Sequence, residues 1–354
     1  MNRNNQLLRI GALSVLLAML LRLIGSGFLG GVFEVFAQPE LASFLLYSES
    51  GKKPNPDSTN PAPSESTAPS ETAPTETTAP TEPTPPETTA PTIPTPIPSG
   101  RVSFTSDDKK YVSLNYSCNY KPDVAPLLTQ TLNWDLTGDE PAVLILHTHG
   151  TEAYTETADT QYVEHGGKFR TEDDRYNLIS IGDELTRLLE EGGVNVIHDR
   201  TPHDLNDYLD SYDNARKATQ KYLAQYPSIK LVLDLHRDAA ENSDGSQWAT
   251  SCMVNGQDSA QLMFVVGTDA SGLTHPNWKT NLSIAAKLNV LMEKISPDVT
   301  RPIDLRRQRF NHDLAMGAMI VEVGSAGNTH EEAMNAISVL AEAVLELAHG
   351  ARSE

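Results

Sequence analysis

The pattern of apolar and polar positions changes character twice along this chain. Residues 10–33 are almost continuously apolar, residues 51–99 carry almost nothing apolar, and beyond Gly100 short apolar runs alternate with stretches of helical period. The first stretch predicts a single membrane span, and Arg3 and Arg9 ahead of it keep the N-terminus cytoplasmic and send the rest outside. Arg22 interrupts the span at a cost of about 2.5–3.5 kcal/mol on insertion scales, less where the helix tilts and the side chain snorkels. The rival reading is a cleaved signal peptide, for which Val35-Phe36-Ala37 supplies a small-x-small step before Gln38. Both put the C-terminal part outside the cytoplasmic membrane.

In the last part, 141–146 reads as a strand and 176–191 as a helix, with Leu178, Ile179, Ile181, Leu185, Leu188 and Leu189 at helical spacing. Gly192-Gly193 stops that helix ahead of a strand at 194–197. A helix at 212–226, a strand at 229–235 and a hairpin over 249–266 turning at Asn255-Gly256 come next. A helix at 280–295, a strand at 318–323 and a closing helix at 330–348 complete the pattern. Strands separated by helices predict an α/β fold with a mixed, mainly parallel sheet covered by helices on both faces.

Composition divides the 354 residues into a membrane anchor or signal at 1–37, a Pro/Thr/Ser/Glu-rich linker at 38–100, and one folded domain at 101–354. The linker cannot bury enough apolar surface to offset chain entropy, so it is expected to be disordered. At roughly 3.1 Å per residue its Pro-rich stretch reaches at most about 150 Å. A formal charge of -20 argues against nucleic acid as a partner and against docking on anionic lipid heads. The two cysteines, Cys118 and Cys252, leave pairing and separate thiols equally open.

The chemistry concentrates where apolar strands end. Val143-Leu144-Ile145-Leu146 runs into His147-Thr148-His149-Gly150-Thr151-Glu152, and Leu233-Asp234-Leu235-His236-Arg237-Asp238 repeats that design. A third strand carries Glu322 near its end. Ligand sites form at the carboxyl ends of strands in open α/β sheets, so one site can collect all three. A lone His after a strand is usually structural; two, each with carboxylates nearby, are expected to bind metal. His149, Glu152 and His236 form a His₂Glu set for catalytic Zn²⁺, which leaves a position for water. Glu322 is assigned as proton shuttle. His147 is the rival first ligand and Asp173 the rival carboxylate, although Asp173 and Asp174 also suit a helix N-terminus. Arg237 is expected either to hold a substrate carboxylate or scissile carbonyl, or to pair with Asp234 or Asp238. The cluster from Arg309 to Asp313 is either substrate-facing or a turn.

With these residues in hand, the chain resembles the stage II sporulation protein P family, zinc-dependent peptidoglycan hydrolases related to N-acetylmuramoyl-L-alanine amidases. The resemblance runs over 141–347 and rests on four segments: His-Thr-His-x-Thr-Glu-Ala-Tyr ending at Tyr154, Asp-Leu-His-Arg-Asp ending at Asp238, Phe264-Val265-Val266-Gly267, and Glu322-Val323-Gly324. Two departures stand out, Gly150 at a place often polar and His312 where Gln is usual. The wider amidase family favours His149 over His147, and its ligand carboxylate near a helix start favours Asp173. The spacing of zinc carboxypeptidases, whose fold is similar, favours Glu152. The resemblance implies cleavage of the amide joining stem peptide to glycan, and of peptide cross-links as well, in septal wall removal during engulfment of the forespore. It also implies a single-pass cell-membrane location with the catalytic domain outside. Its implied partners are a lytic transglycosylase and a membrane protein that recruits both. The competing functions are a zinc carboxypeptidase or endopeptidase, and a wall-binding module without catalysis.

Overall fold

The computed structural model describes residues 102–350, apart from 133–134, 240 and 243–245. The expected membrane span, its cleavage alternative and the Pro-rich tether lie outside the described residues. Among the described residues no helix is long and apolar enough to cross a membrane.

Among the described residues nine strands and five α-helices follow one another in the order β1 (Leu114–Ser117), α1 (Val124–Thr129), β2 (Val143–Leu146), α2 (Leu178–Glu191), β3 (Val196–His198), α3 (Ser211–Gln225), β4 (Leu231–Asp238), β5 (Ser251–Val254), β6 (Gln257–Ala260), β7 (Leu262–Gly267), α4 (Trp278–Ile295), β8 (Ile303–Arg306), β9 (Ala318–Ser325) and α5 (His330–Gly350). Seven strands form one sheet in the order β1-β8-β7-β9-β4-β2-β3. Every neighbouring pair is parallel except β7 with β9. The sheet is therefore mixed and mainly parallel, as the alternation of strands and helices predicts. The exception has a local cause. β4 reaches β7 through the β5–β6 hairpin rather than a crossover helix, so nothing imposes a parallel return.

That hairpin differs from the expected one. Its turn at Asn255-Gly256 has both residues left-handed, with φ 52 and φ 79, but β5 and β6 form a separate two-stranded sheet and β7 belongs to the main one. β1 and β8 escape the sequence reading because they are short, and β1 is largely exposed.

Alternate residues of each strand serve opposite faces. Val143 and Ile145 of β2, Leu231, Leu233 and Leu235 of β4, and Met319, Val321 and Val323 of β9 pack with α2, α4 and α5 in the larger core. The other face is covered more sparsely. α3 lies over Leu144, Leu146 and Val232, while Phe310 covers Met263, Val265 and Ile320 where a second helix was expected. This thinner side carries the polar residues of the strand ends.

Candidate metal and catalytic site

Because β2, β4 and β9 are parallel neighbours, their carboxyl ends open on one edge of the sheet. β3 and β4 flank β2 on opposite sides, which makes this edge a topological switch point. Asp234 and His236 follow Val232 on the α3 face of β4. Glu322, on the same face of β9, is the direct cross-strand neighbour of His236. Past β2 the chain turns, the amide of Glu152 donating to the carbonyl of His149 at 3.1 Å, so both side chains come back over the sheet. Gly150 lets this turn lie against Pro202, whose Cα would stand 3.0 Å from an added Cβ.

The structure brings His149, Glu152, His236 and Glu322 together. The rings of His149 and His236 are 5.2 Å apart, edge to face, and His236 Nδ1 lies 3.8 Å from Glu152 Oε2. All four are largely shielded from solvent; His149 Nδ1 and Glu322 Oε2 make no hydrogen bond, while His236 Nε2 stands 3.2 Å from Asp234 Oδ1. Burial, partly opposed by the charge of His236, pushes Glu322 up to about 8. Burial would lower His236, but the adjacent Asp234 carboxylate outweighs it and raises the imidazole to about 10. His149 moves the other way: burial, reinforced by the charges of His236 and Arg170, holds it well below its ordinary value and neutral.

The rivals lie elsewhere. His147 continues the row of Val143 and Ile145 toward α2, where its Nε2 lies 2.8 Å from Nε2 of His198 beside Gly182. Asp173 gives both carboxylate oxygens to Arg175, at 2.9 and 2.6 Å, in the turn before α2. Arg237 departs from both expectations. Its Nε donates to Ala153 O at 3.0 Å and Nη2 to Phe169 O at 3.1 Å, while Nη1 stands 3.6 Å from Glu152 Oε1. Asp238 pairs instead with Arg301, and Asp234 faces Thr148 and His236. The guanidinium thus holds Glu152 and its loop. The Arg309 to Asp313 cluster is a structured turn, in which Arg216 and Arg309 hold Asp313 and the amide of Gly267 donates to His312 Nδ1.

Sequence reasoning missed the surroundings of His149. Tyr208 stacks on its ring at 4.4 Å, Tyr212 meets it edge-on, and Asp204, bound by Thr151 and Arg170, comes within 4.0 Å of its Nδ1. Asp204 and Tyr208 sit in the β3–α3 segment and Tyr212 in the first turn of α3, and no spacing in the chain links them to the β2 end. Asp234 was within reach, since an Asp-x-His step in a strand puts both side chains on one face.

The donors suit zinc in kind: two buried imidazoles, with Nδ1 of His149 unsatisfied, and a buried carboxylate. Among the described residues no three His, Cys, Asp or Glu side chains stand already gathered at metal-binding distances. Cys118 and Cys252 are free thiols.

These features define the class: an α/β protein with a buried two-histidine, two-glutamate site at parallel strand ends. Residues 40–345 match the family model of stage II sporulation protein P, and the chain belongs to that family. Stage II sporulation protein P of Bacillus subtilis (strain 168) is 28% identical over 226 residues, which is 60% of this chain; the match spans 52% of that relative, about half its length. Among solved structures, the CwlD amidase of Clostridioides difficile, in complex with the GerS lipoprotein, is 11% identical over 57% of this chain and 96% of its own, with a TM-score of 0.37. The N-acetylmuramoyl-L-alanine amidase AmiC2 of Nostoc punctiforme is 11% identical over 59% of this chain and 98% of its own, with a TM-score of 0.36. Likenesses of that size carry no argument about activity.

Proposed function

We propose that the chain is a zinc-dependent peptidoglycan hydrolase that cleaves the N-acetylmuramoyl-L-alanine amide, and peptide cross-links as a second activity, during septal wall removal and engulfment. The observation that carries this reading is the meeting of His149, Glu152 and His236 beside a buried Glu322. Family membership supports the setting. His149, Glu152 and His236 would hold the metal. Bound zinc supplies a Lewis acid that brings the pKa of a water near neutrality.

Glu322 takes a proton at its free Oε2 and returns it to the leaving amine. A carboxyl titrating near the working pH suits both directions of that transfer. Arg237 keeps Glu152 in place, and Tyr208 and Tyr212 hold the ring of His149. In this reading residues 1–37 anchor the chain in the cell membrane, 38–100 form the tether, and 101–354 act outside the membrane. The partners are then the wall itself, a lytic transglycosylase and a recruiting membrane protein.

The test is incubation of the full chain with intact sacculi, with and without chelator. The expected result is release of whole stem peptides from naked glycan, lost in chelator and restored by zinc. Full turnover in a metal-free preparation would overturn the zinc mechanism. Release of peptide fragments alone would make the chain an endopeptidase or carboxypeptidase.

A further inference from the structure

We propose that Asp234 is a positioning residue that decides which ring nitrogen of His236 is presented to the metal; this inference rests on the zinc reading above. Asp234 lies two residues before His236 on β4, so their side chains leave the same face of the strand. Its Oδ1 accepts the amide hydrogen of Thr148 at 2.8 Å and stands 3.2 Å from His236 Nε2. Its Oδ2 accepts the Thr148 hydroxyl at 2.6 Å. One buried carboxylate therefore holds the residue just before His149 and, across the strand pair, the far side of the His236 ring.

An imidazole nitrogen that faces a carboxylate carries the hydrogen, and the other nitrogen is left as the donor to a metal. For His236 that second nitrogen is Nδ1, which lies 3.8 Å from Glu152 Oε2. A structural reading of Asp234 makes a different demand. Thr148 alone supplies two hydrogen bonds, so a carboxylate that merely pins the β2 end has no need of His236.

The two readings separate when D234N and T148V are compared in the full chain. Asp234→Asn can still accept the Thr148 amide hydrogen at the oxygen beside His236, with its NH₂ toward the Thr148 hydroxyl, but it no longer carries the charge that holds the hydrogen on His236 Nε2. Thr148→Val loosens the β2 end and leaves the carboxylate beside His236. Zinc affinity, measured calorimetrically with Zn²⁺ alone, should fall about 10- to 100-fold in D234N, the usual cost of losing an outer-shell partner, and by far less in T148V. In the zinc-loaded wild type, ¹⁵N NMR should show His236 with Nε2 protonated and Nδ1 on the metal, a signature that needs no variant to fold. Unchanged affinity in D234N, an equal loss in both variants, or zinc on Nε2 of His236 would overturn the positioning role while leaving the zinc reading intact. A wild-type chain that takes up no zinc would overturn both.

Discussion

Glu322 and Glu152 stand on either side of His236, and their surroundings give them different work. Glu152 accepts from the amide of Arg237 at 3.3 Å and faces its guanidinium, so it is held in place, as a ligand must be. Glu322 has an unpartnered oxygen and a raised pKa, as a proton carrier must. Removing the two therefore fails in different ways. Glu322→Gln keeps shape but cannot accept a proton, so turnover should drop about 10²–10⁴-fold while zinc stays bound. Glu152→Gln should weaken zinc binding. Asp173→Asn should do neither, because Asp173 is occupied by Arg175 at the surface. Metal titration of the three variants beside their rates checks this, and loss of zinc in D173N with retention in E152Q would replace the ligand set.

At the scale of elements, what matters is how closely α2 approaches β2 and β3. Gly182 makes that contact, since an added Cβ would stand 2.4 Å from His198 Nε2 and 2.6 Å from His147 Nε2. Both rings are confined, His147 by the sheet and His198 by its contact with Asp183, whose Oδ1 lies 3.2 Å from His198 Nδ1. Gly182→Ala, favourable for an exposed helix, should here cost about 1–3 kcal/mol of stability by overpacking. Urea unfolding reads this, and an unchanged or raised midpoint would mean the pair yields freely. The same contact explains why His147 is no part of the site: two residues beyond Ile145, it keeps the face that β2 turns to the helix. Pattern located α2 to within two residues because apolar spacing is a local signal, while the cap proved to be Asn177 rather than the Asp173-Asp174 pair. The direction of β7 was not legible, because it depends on what a preceding hairpin leaves unpaired.

For the whole molecule, acid stability follows from histidines that the core holds neutral. Burial lowers His275 to about 4, His312 to about 3 and His330 to about 4. Unfolded, each would take a proton near pH 6.5, so between about pH 6.5 and 4 the unfolded chain binds more protons and stability falls as pH falls. His236, raised to about 10, is protonated in both states over that window and drops out, and Glu322, raised to about 8, opposes the trend by a single proton against the several histidines. Each buried histidine contributes up to about 1.4 kcal/mol per pH unit. Urea midpoints at pH 7, 5.5 and 4.5 should decline steadily, and a flat profile would show that these rings are charged or open in the folded state. The sequence by itself determined the class of fold, the existence of most elements and the residues able to do metal chemistry, because periodicity, capping and strand-end placement are written in neighbouring positions. Only the tertiary structure decided that Glu152 and not Asp173 faces His236, that Arg237 turns inward, and that Asp234, Asp204 and Tyr208 surround the histidines. Those outcomes depend on which strands become neighbours and which face each side chain takes, and contacts between residues 50 to 90 positions apart leave no mark in local pattern.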